Sequence, residues 1–300
     1  MAAREGAARP LSPPGDVASQ LARRRSLTRF VARNPLLTLF AAVFVLLAVV
    51  ALSADLLVTT NPLQTHPAQS LRGPAAAHWL GTDNLGRDIY SRVIKGAQVS
   101  LRVAVIAVSI SLAAGVALGL AAGYFGGVVD TLCSRYIDAQ LAFPGILLAI
   151  AIVNALGPGL NHAMIAVGIL GVPLYFRLTR GQVLQAKQQE FVRAAEVIGA
   201  SQARIMLRHI LPNIANPLVV AASLAGGNAI LALATLSFLG IAAQPPTPDW
   251  GAMIRIGADY LQNDVWLAIG PGIGIFITVF SYYMLGDALR DYLDPRLKGR

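Results

Sequence analysis

Apolar residues in this chain neither alternate with polar ones at the period of a strand nor keep to one stripe of a surface helix. They run on in blocks of about twenty, the length that a helix rising 1.5 Å per residue needs to cross a hydrocarbon core of about 30 Å. Such blocks lie near residues 35–58, 99–123, 132–156, 162–181, 217–240 and 267–287. The pattern predicts an all-α polytopic membrane protein with six transmembrane helices. The polar remainder divides the chain into a basic tail (1–34), a first helix (35–58), a loop (59–97), a five-helix core (98–289) with a polar loop at 182–216, and a short second tail (290–300). The first apolar block is too long for the h-region of a signal peptide, although Ala51-Leu52-Ser53 has the small residues of a cleavage site; a retained helix is expected.

Small residues and prolines punctuate these blocks. Ser111, Gly115, Gly119 and Gly123 recur every four residues, which leaves a shallow groove on one helix face where a second backbone can approach. Phe143-Pro144-Gly145, Gly171-Val172-Pro173, Gly226-Gly227 and Gly270-Pro271-Gly272 are each expected to loosen or kink a helix.

Composition agrees with the pattern: 55% of residues are hydrophobic, 13% are charged, and the mean hydropathy is +0.60. The formal net charge of +9 would suit nucleic acid. However, Lys and Arg sit beside the apolar blocks, and no groove-reading element accompanies them, so nucleic-acid binding is set aside. The basic residues are also asymmetric. The tail (Arg4, Arg9, Arg23, Arg24, Arg25, Arg29, Arg33), the polar loop and its flanks (Arg177, Arg180, Lys187, Arg193, Arg204, Arg208) and the C-terminal segment (Arg290, Arg296, Lys298, Arg300) hold most of them. The alternate segments hold Arg72, Arg87, Arg92, Lys95 and Arg255. The positive-inside rule then predicts that both termini and the 182–216 loop are cytoplasmic. Cys133 is the only cysteine, which excludes an intrachain disulfide and any CxxC site.

Two loops on the predicted outer face carry distinctive strings. In HWLGTDNLGRDIYSRV, Gly81 and Gly86 suit turns, Thr82 or Asp83 can cap a short helix, and Asp88 stands four residues before Arg92 at an ion-pairing distance. His78, Asp83 and Asp88 lack a recognised ligand spacing, so caps and salt links are expected there and no metal. In QPPTPDWGAMI, Pro245, Pro246 and Pro248 force an extended approach to the membrane, while Trp250 and Trp266 suit the interfacial aromatic belt, with Gly251 following Trp250. On the predicted cytoplasmic side, QQEFVRAAEVIGASQARIMLRHILPN (188–213) mixes charges with apolar residues at helical spacing. Ala194, Ala195 and Gly199 leave one of its faces nearly bare. Gly199-Ala200-Ser201 breaks it into two short helices, with Ser201 as N-cap and Pro212 as stop.

These strings, in this order, resemble the permeases of ABC importers of the dipeptide, oligopeptide and nickel branch, specifically the C-type subunit, over about Pro35 to Lys298. The hairpin is similar to the "EAA" coupling loop of that family at Ala194, Ala195, Gly199, Leu211 and Pro212. It departs at Arg193, where Glu is usual, at His209, where Ile is usual, and the outer string departs at Asp249, where Ser is common. The resemblance implies the type I importer permease fold. It also implies that Glu190, Arg193, Ala194, Ala195, Gly199, Ala200, Ser201 and Arg204 form the surface seated in an ATPase. Expected partners are two ATP-binding subunits or a fused pair, a second homologous permease, an extracytoplasmic solute-binding protein and membrane lipid. No GxxxxGK[ST] phosphate loop is present, so ATP and its Mg belong to the partner subunits and this chain is expected to bind no cofactor and catalyse nothing. The rival class, an ion- or proton-coupled carrier, needs ionisable groups at mid-depth. Its candidates, Arg102 and Asp138, are placed near span ends, with Asp138 expected to pair with Arg135. No string identifies the substrate-binding residues.

Overall fold

The computed structural model describes residues 35–262 and 264–293; both predicted tails lie outside them, apart from the last helical turn. The described residues form helices without a named strand. In chain order, α1 is Pro35–Leu52, α2 Ala54–Leu57, α3 Ile89–Phe125, α4 Gly127–Leu141, α5 Gly145–Leu156 and α6 Leu160–Ala186. The hairpin follows as α7 (Glu190–Val197) and α8 (Gln202–Arg204), the latter passing through a π-helical turn (Ile205–Ile210) into α9 (Leu211–Asn213). Then come α10 (Ala215–Phe238), α11 (Trp250–Asp259) and α12 (Trp266–Leu293).

Four helices, α3, α6, α10 and α12, are long and apolar enough to cross a membrane. The 18-residue α1 is apolar throughout except for Thr38. The apolar block at 132–156 breaks at the expected Phe143-Pro144-Gly145 kink: α4 ends at Leu141 and the chain turns by 96° into α5. Pro144 supplies no amide to continue the α4 ladder and disfavours helical geometry at Phe143. The other proline- and glycine-rich sites do not interrupt their helices. Pro173 lies inside α6, and the carbonyl that its missing N–H would have bonded, that of Ile169, instead accepts from the Gln140 side-chain amide at 2.8 Å. Gly226-Gly227 and Pro271 likewise lie within α10 and α12.

The small-residue stripe of α3 packs on α6, and the two helices run in the same direction. A Cβ built on Gly115 would come within 2.5 Å of the Tyr175 Cβ, and one on Gly119 within 2.7 Å of the Thr179 Cβ; on Gly123 it would lie 2.8 Å from the Val183 Cβ. Ser111 Oγ donates to Ala107 O and lies 2.7 Å from Gly168 O on α6. Hydrogen bonding across so close a contact suits a medium that offers no water. On the other side of the bundle, Phe44 and Phe40 of α1 meet Tyr282 and Phe280 of α12 edge to face, at 4.9 and 5.1 Å.

Candidate functional site

Two polar assemblies stand at opposite ends of the bundle. The first is the ordered loop before α3. Its helix begins at Ile89, ten residues before the apolar block, because Asp88 caps it by accepting from Ser91 N at 2.8 Å. That role takes Asp88 away from Arg92. Asp88 instead meets His78 Nδ1 at 2.9 Å, while Arg92 turns to Asp83 at 3.6 Å and donates to Pro62 O at 2.9 Å. Asp83 also holds Arg87 at 2.6 Å and accepts from the Leu85 and Arg87 amides. Thr82 caps no helix; its hydroxyl donates to Gln69 O and accepts from Arg72 N. All four charged residues, Asp83, Arg87, Asp88 and Arg92, are buried. Ion pairs so desolvated hold only when their remaining donors and acceptors are satisfied, as most are by this loop. Gly81 and Gly86 adopt φ of +80° and +72°, and a Cβ at either would strike the backbone of Arg72 or His66. Three acidic or imidazole ligands do not gather anywhere among the described residues.

The 239–250 segment closes over this loop. Pro246 O accepts from Arg92 Nη1 at 3.4 Å, linking the two loop strings, whereas Pro245 is exposed and Pro248 half-buried. Trp250 does not join an interfacial belt. It is 2% exposed, wedged between Gly96 of α3 and Gly274 of α12, and its indole donates to Val93 O at 2.9 Å. The glycine positions that admit this ring were visible in the sequence, but their pairing with Trp250 is a tertiary fact. Gly251 packs against the Ala234 backbone too closely for any side chain. Asp249 caps α11 through Ala252 N at 2.9 Å. Burial pushes its carboxyl above the ordinary carboxylate value, against the opposing hydrogen bonds from Ala252, Ser237 and Gly251. Trp266 remains at the surface, 39% exposed.

The second assembly is the hairpin. Glu190 opens α7, where an acidic residue favours the positive end of the helix, and Gly199 ends it with φ +74°. Ser201 caps the next helix through Arg204 N at 3.4 Å. Pro212 does not stop that helix where expected, since α9 runs one residue further, to Asn213. The bare face differs from its expected role at one residue. Ala195 is 3% exposed and packs with Val192, Ile205, Ile210 and Tyr124 inside this chain. It therefore fixes the hairpin to the bundle and presents nothing outward. Glu190, Arg193, Ala194, Gly199, Ser201 and Arg204 are exposed, and Ala200 is half-buried. The outermost apolar side chains are two that the sequence did not single out, Val197 at 87% and Ile198 at 80% exposed. Ile198 borders a groove of about 330 Å³, lined also by Gly199, Ala200, Arg204, Arg208 and His209. Arg204 and Arg208 stand on the groove side of this tip, and the exposed Glu196 precedes Val197. At the hairpin's root, Lys187 Nζ donates to Tyr124 O at 2.6 Å and lies 5.3 Å from its ring centroid, tying the end of α6 to the end of α3.

Residues 115–299 match the family model described as "Binding-protein-dependent transport system inner membrane component". The chain is 42% identical over 286 residues to the dipeptide transport system permease protein DppC of Alkalihalophilus pseudofirmus, covering 95% of this chain and 94% of that one. It is 46% identical over 269 residues to the glutathione transport system permease protein GsiD of Escherichia coli O157:H7, covering 89% of each. Among solved structures, a chain from an amino acid ABC transporter crystallised with histidines shares the fold. Its TM-score is 0.54 at 18% identity, over 68% of this chain and 95% of that one.

Proposed function

The chain belongs to the family of binding-protein-dependent transport inner-membrane components, and from that premise we propose that it forms half of the route by which peptides enter the cell. It is a multi-pass membrane permease subunit of an ABC importer of the peptide branch. In this reading the hairpin faces the cytoplasm, both termini lie on that side, and the loops around Asp83 and Trp250 face outward to receive a loaded binding protein. A second, homologous permease completes the route. Two ATP-hydrolysing subunits, separate or fused, sit beneath.

The observation that carries the coupling role is the build of the hairpin. Its inner face is anchored to α3 and α6 through Tyr124, Val183 and Ala186, while Val197 and Ile198 stand out at its tip. A lever so rooted moves with the spans. When ATP closes the motor, the displaced tip would rock α6 and α10 and exchange inward-open for outward-open packing of the two permeases, each state stabilised by a different partner contact. Relatives that carry dipeptides and glutathione, itself a tripeptide, support a short peptide as cargo. The test is purification. The isolated chain is expected to hydrolyse no ATP yet to co-purify with an ATPase subunit; robust hydrolysis by the chain alone would overturn the division of labour.

A further inference from the structure

Three parts of the chain meet at the last turn of α3. The Tyr124 ring lies in the cluster that holds Val192, Ala195, Ile205 and Ile210 of the hairpin, while its carbonyl accepts from Lys187 Nζ at 2.6 Å. Lys187 is the C-cap of α6, directly before the hairpin begins at Gln188. Its ammonium also lies 5.3 Å from the Tyr124 ring centroid. One side chain therefore grips both the backbone of α3 and the ring on which the hairpin rests.

The end of α3 needs that grip. The last four carbonyls of a helix lack partners within it, and here the Gly126 amide takes the one from Ala122. Tyr124 O accepts from Lys187 instead, and a cation at this place also favours the negative end of the helix. Beyond it, Gly126 and Gly127 take φ of +67° and +53° with no atom within 4 Å of either Cβ position, so no side-chain packing stiffens the turn. α4 then makes its own hold on α6. Asp130 takes Arg180 at 2.5 and 2.7 Å, and Asp138, expected beside Arg135, meets Arg177 at 3.4 Å. Neither pair secures α3. A last turn without its ammonium would fray, and a push on the Tyr124 ring would be absorbed there before reaching the body of the helix.

We propose that Lys187 is the positioning residue that joins the hairpin to α3, holding the Tyr124 backbone rigid so that a displacement of α7 passes through the ring into α3. The glycine stripe, which packs α3 on α6 too closely for either to slide, carries the displacement on through both helices as one body. The proposal rests on the permease reading and names the transmitting residue which that reading leaves open.

The test uses the whole transporter, both permeases with their ATPases, in proteoliposomes, with its binding protein and L-alanyl-L-alanine as probe. Lys187→Met keeps a stem over the ring and removes the ammonium. It is expected to assemble and to hydrolyse ATP in response to loaded binding protein, while the number of peptides imported per ATP falls severalfold; Lys187→Arg, which can still donate to Tyr124 O, should restore that ratio. A parental ratio in Lys187→Met would overturn the proposal. Loss of assembly, or loss of uptake and hydrolysis together, would overturn it as well, since either marks a brace needed for the fold alone. Independently, amide hydrogen exchange over residues 120–126 of the assembled transporter should quicken roughly tenfold or more in Lys187→Met, the factor that one charged hydrogen bond supports, and not in Lys187→Arg. Exchange at the parent's rate in Lys187→Met would refute the rigid joint. A parent transporter whose hydrolysis ignores the loaded binding protein would defeat the permease reading instead.

Discussion

Gly119→Leu is the perturbation that the packing of α3 on α6 constrains most tightly. A single carbon at this position would lie 2.7 Å from Thr179 Cβ, 2.8 Å from Phe176 O and 3.1 Å from Arg180 N, where ordinary contact begins at 3.4 Å. The two helices would have to part by about 0.7 Å, and two of the three atoms belong to backbone that cannot swing aside. Overpacking of this kind costs about 1–3 kcal/mol, and for Gly119→Ala roughly 1 kcal/mol is returned because alanine is the better helix former. Gly119→Ala should therefore destabilise by about 0–2 kcal/mol, and Gly119→Leu, with three further carbons in the same gap, by about 3 kcal/mol or more. Gly181, also on α6, is the control: nothing lies within 4 Å of its Cβ position, so Gly181→Ala should be neutral or stabilising. The assay is the thermal unfolding midpoint of the purified permease in detergent, with the yield of assembled transporter alongside. A Gly119→Leu protein with the parent's midpoint and yield would refute the close packing of α3 and α6.

Two further outcomes follow from the loops. In a Cys133→Ala background, cysteines at Ala76 and Gln244, both exposed, should label from outside intact cells, and one at Gln202 only after permeabilisation; labelling of Gln202 in intact cells would invert the topology. The raised Asp249 carboxyl favours its protonated form when folded, so its contribution to stability is present at low pH and is lost as pH rises through and above the ordinary carboxylate range. The thermal midpoint of the parent should therefore fall between acid and neutral pH more than that of Asp249→Asn, which keeps a capping oxygen without the charge; equal slopes would remove Asp249 as the cause.

The apolar blocks made the long helices legible, because crossing a bilayer demands length above all; among the described residues four of them are long and apolar enough to cross. The small-residue stripe of α3 was legible for the same kind of reason, since only backbone-to-backbone packing uses four such residues in register. Partner choice was not. Asp88 and Arg92 have the spacing of an ion pair, but the capping demand at Ile89 claims the carboxylate, and local sequence does not say which need prevails. Ala195 reads as an outward face by size alone, whereas its neighbours Ile205 and Ile210 bury it from across the hairpin turn. Pro173 reads as a kink, and the Gln140 amide that replaces the lost hydrogen bond comes from a different helix.

Coupling through the hairpin is the central claim, and its most direct measurement is ATP hydrolysis and peptide uptake by the reconstituted transporter carrying Ile198→Glu. Ile198 is 80% exposed and outside the chain's own core, so the substitution leaves the permease fold intact, whereas Ala195→Glu would disrupt the hairpin itself. A carboxylate forced into an apolar cleft without a partner costs at least a few kcal/mol. The account predicts normal membrane insertion together with loss of both stimulated hydrolysis and uptake; full retention of both in Ile198→Glu and in Val197→Glu would contradict it.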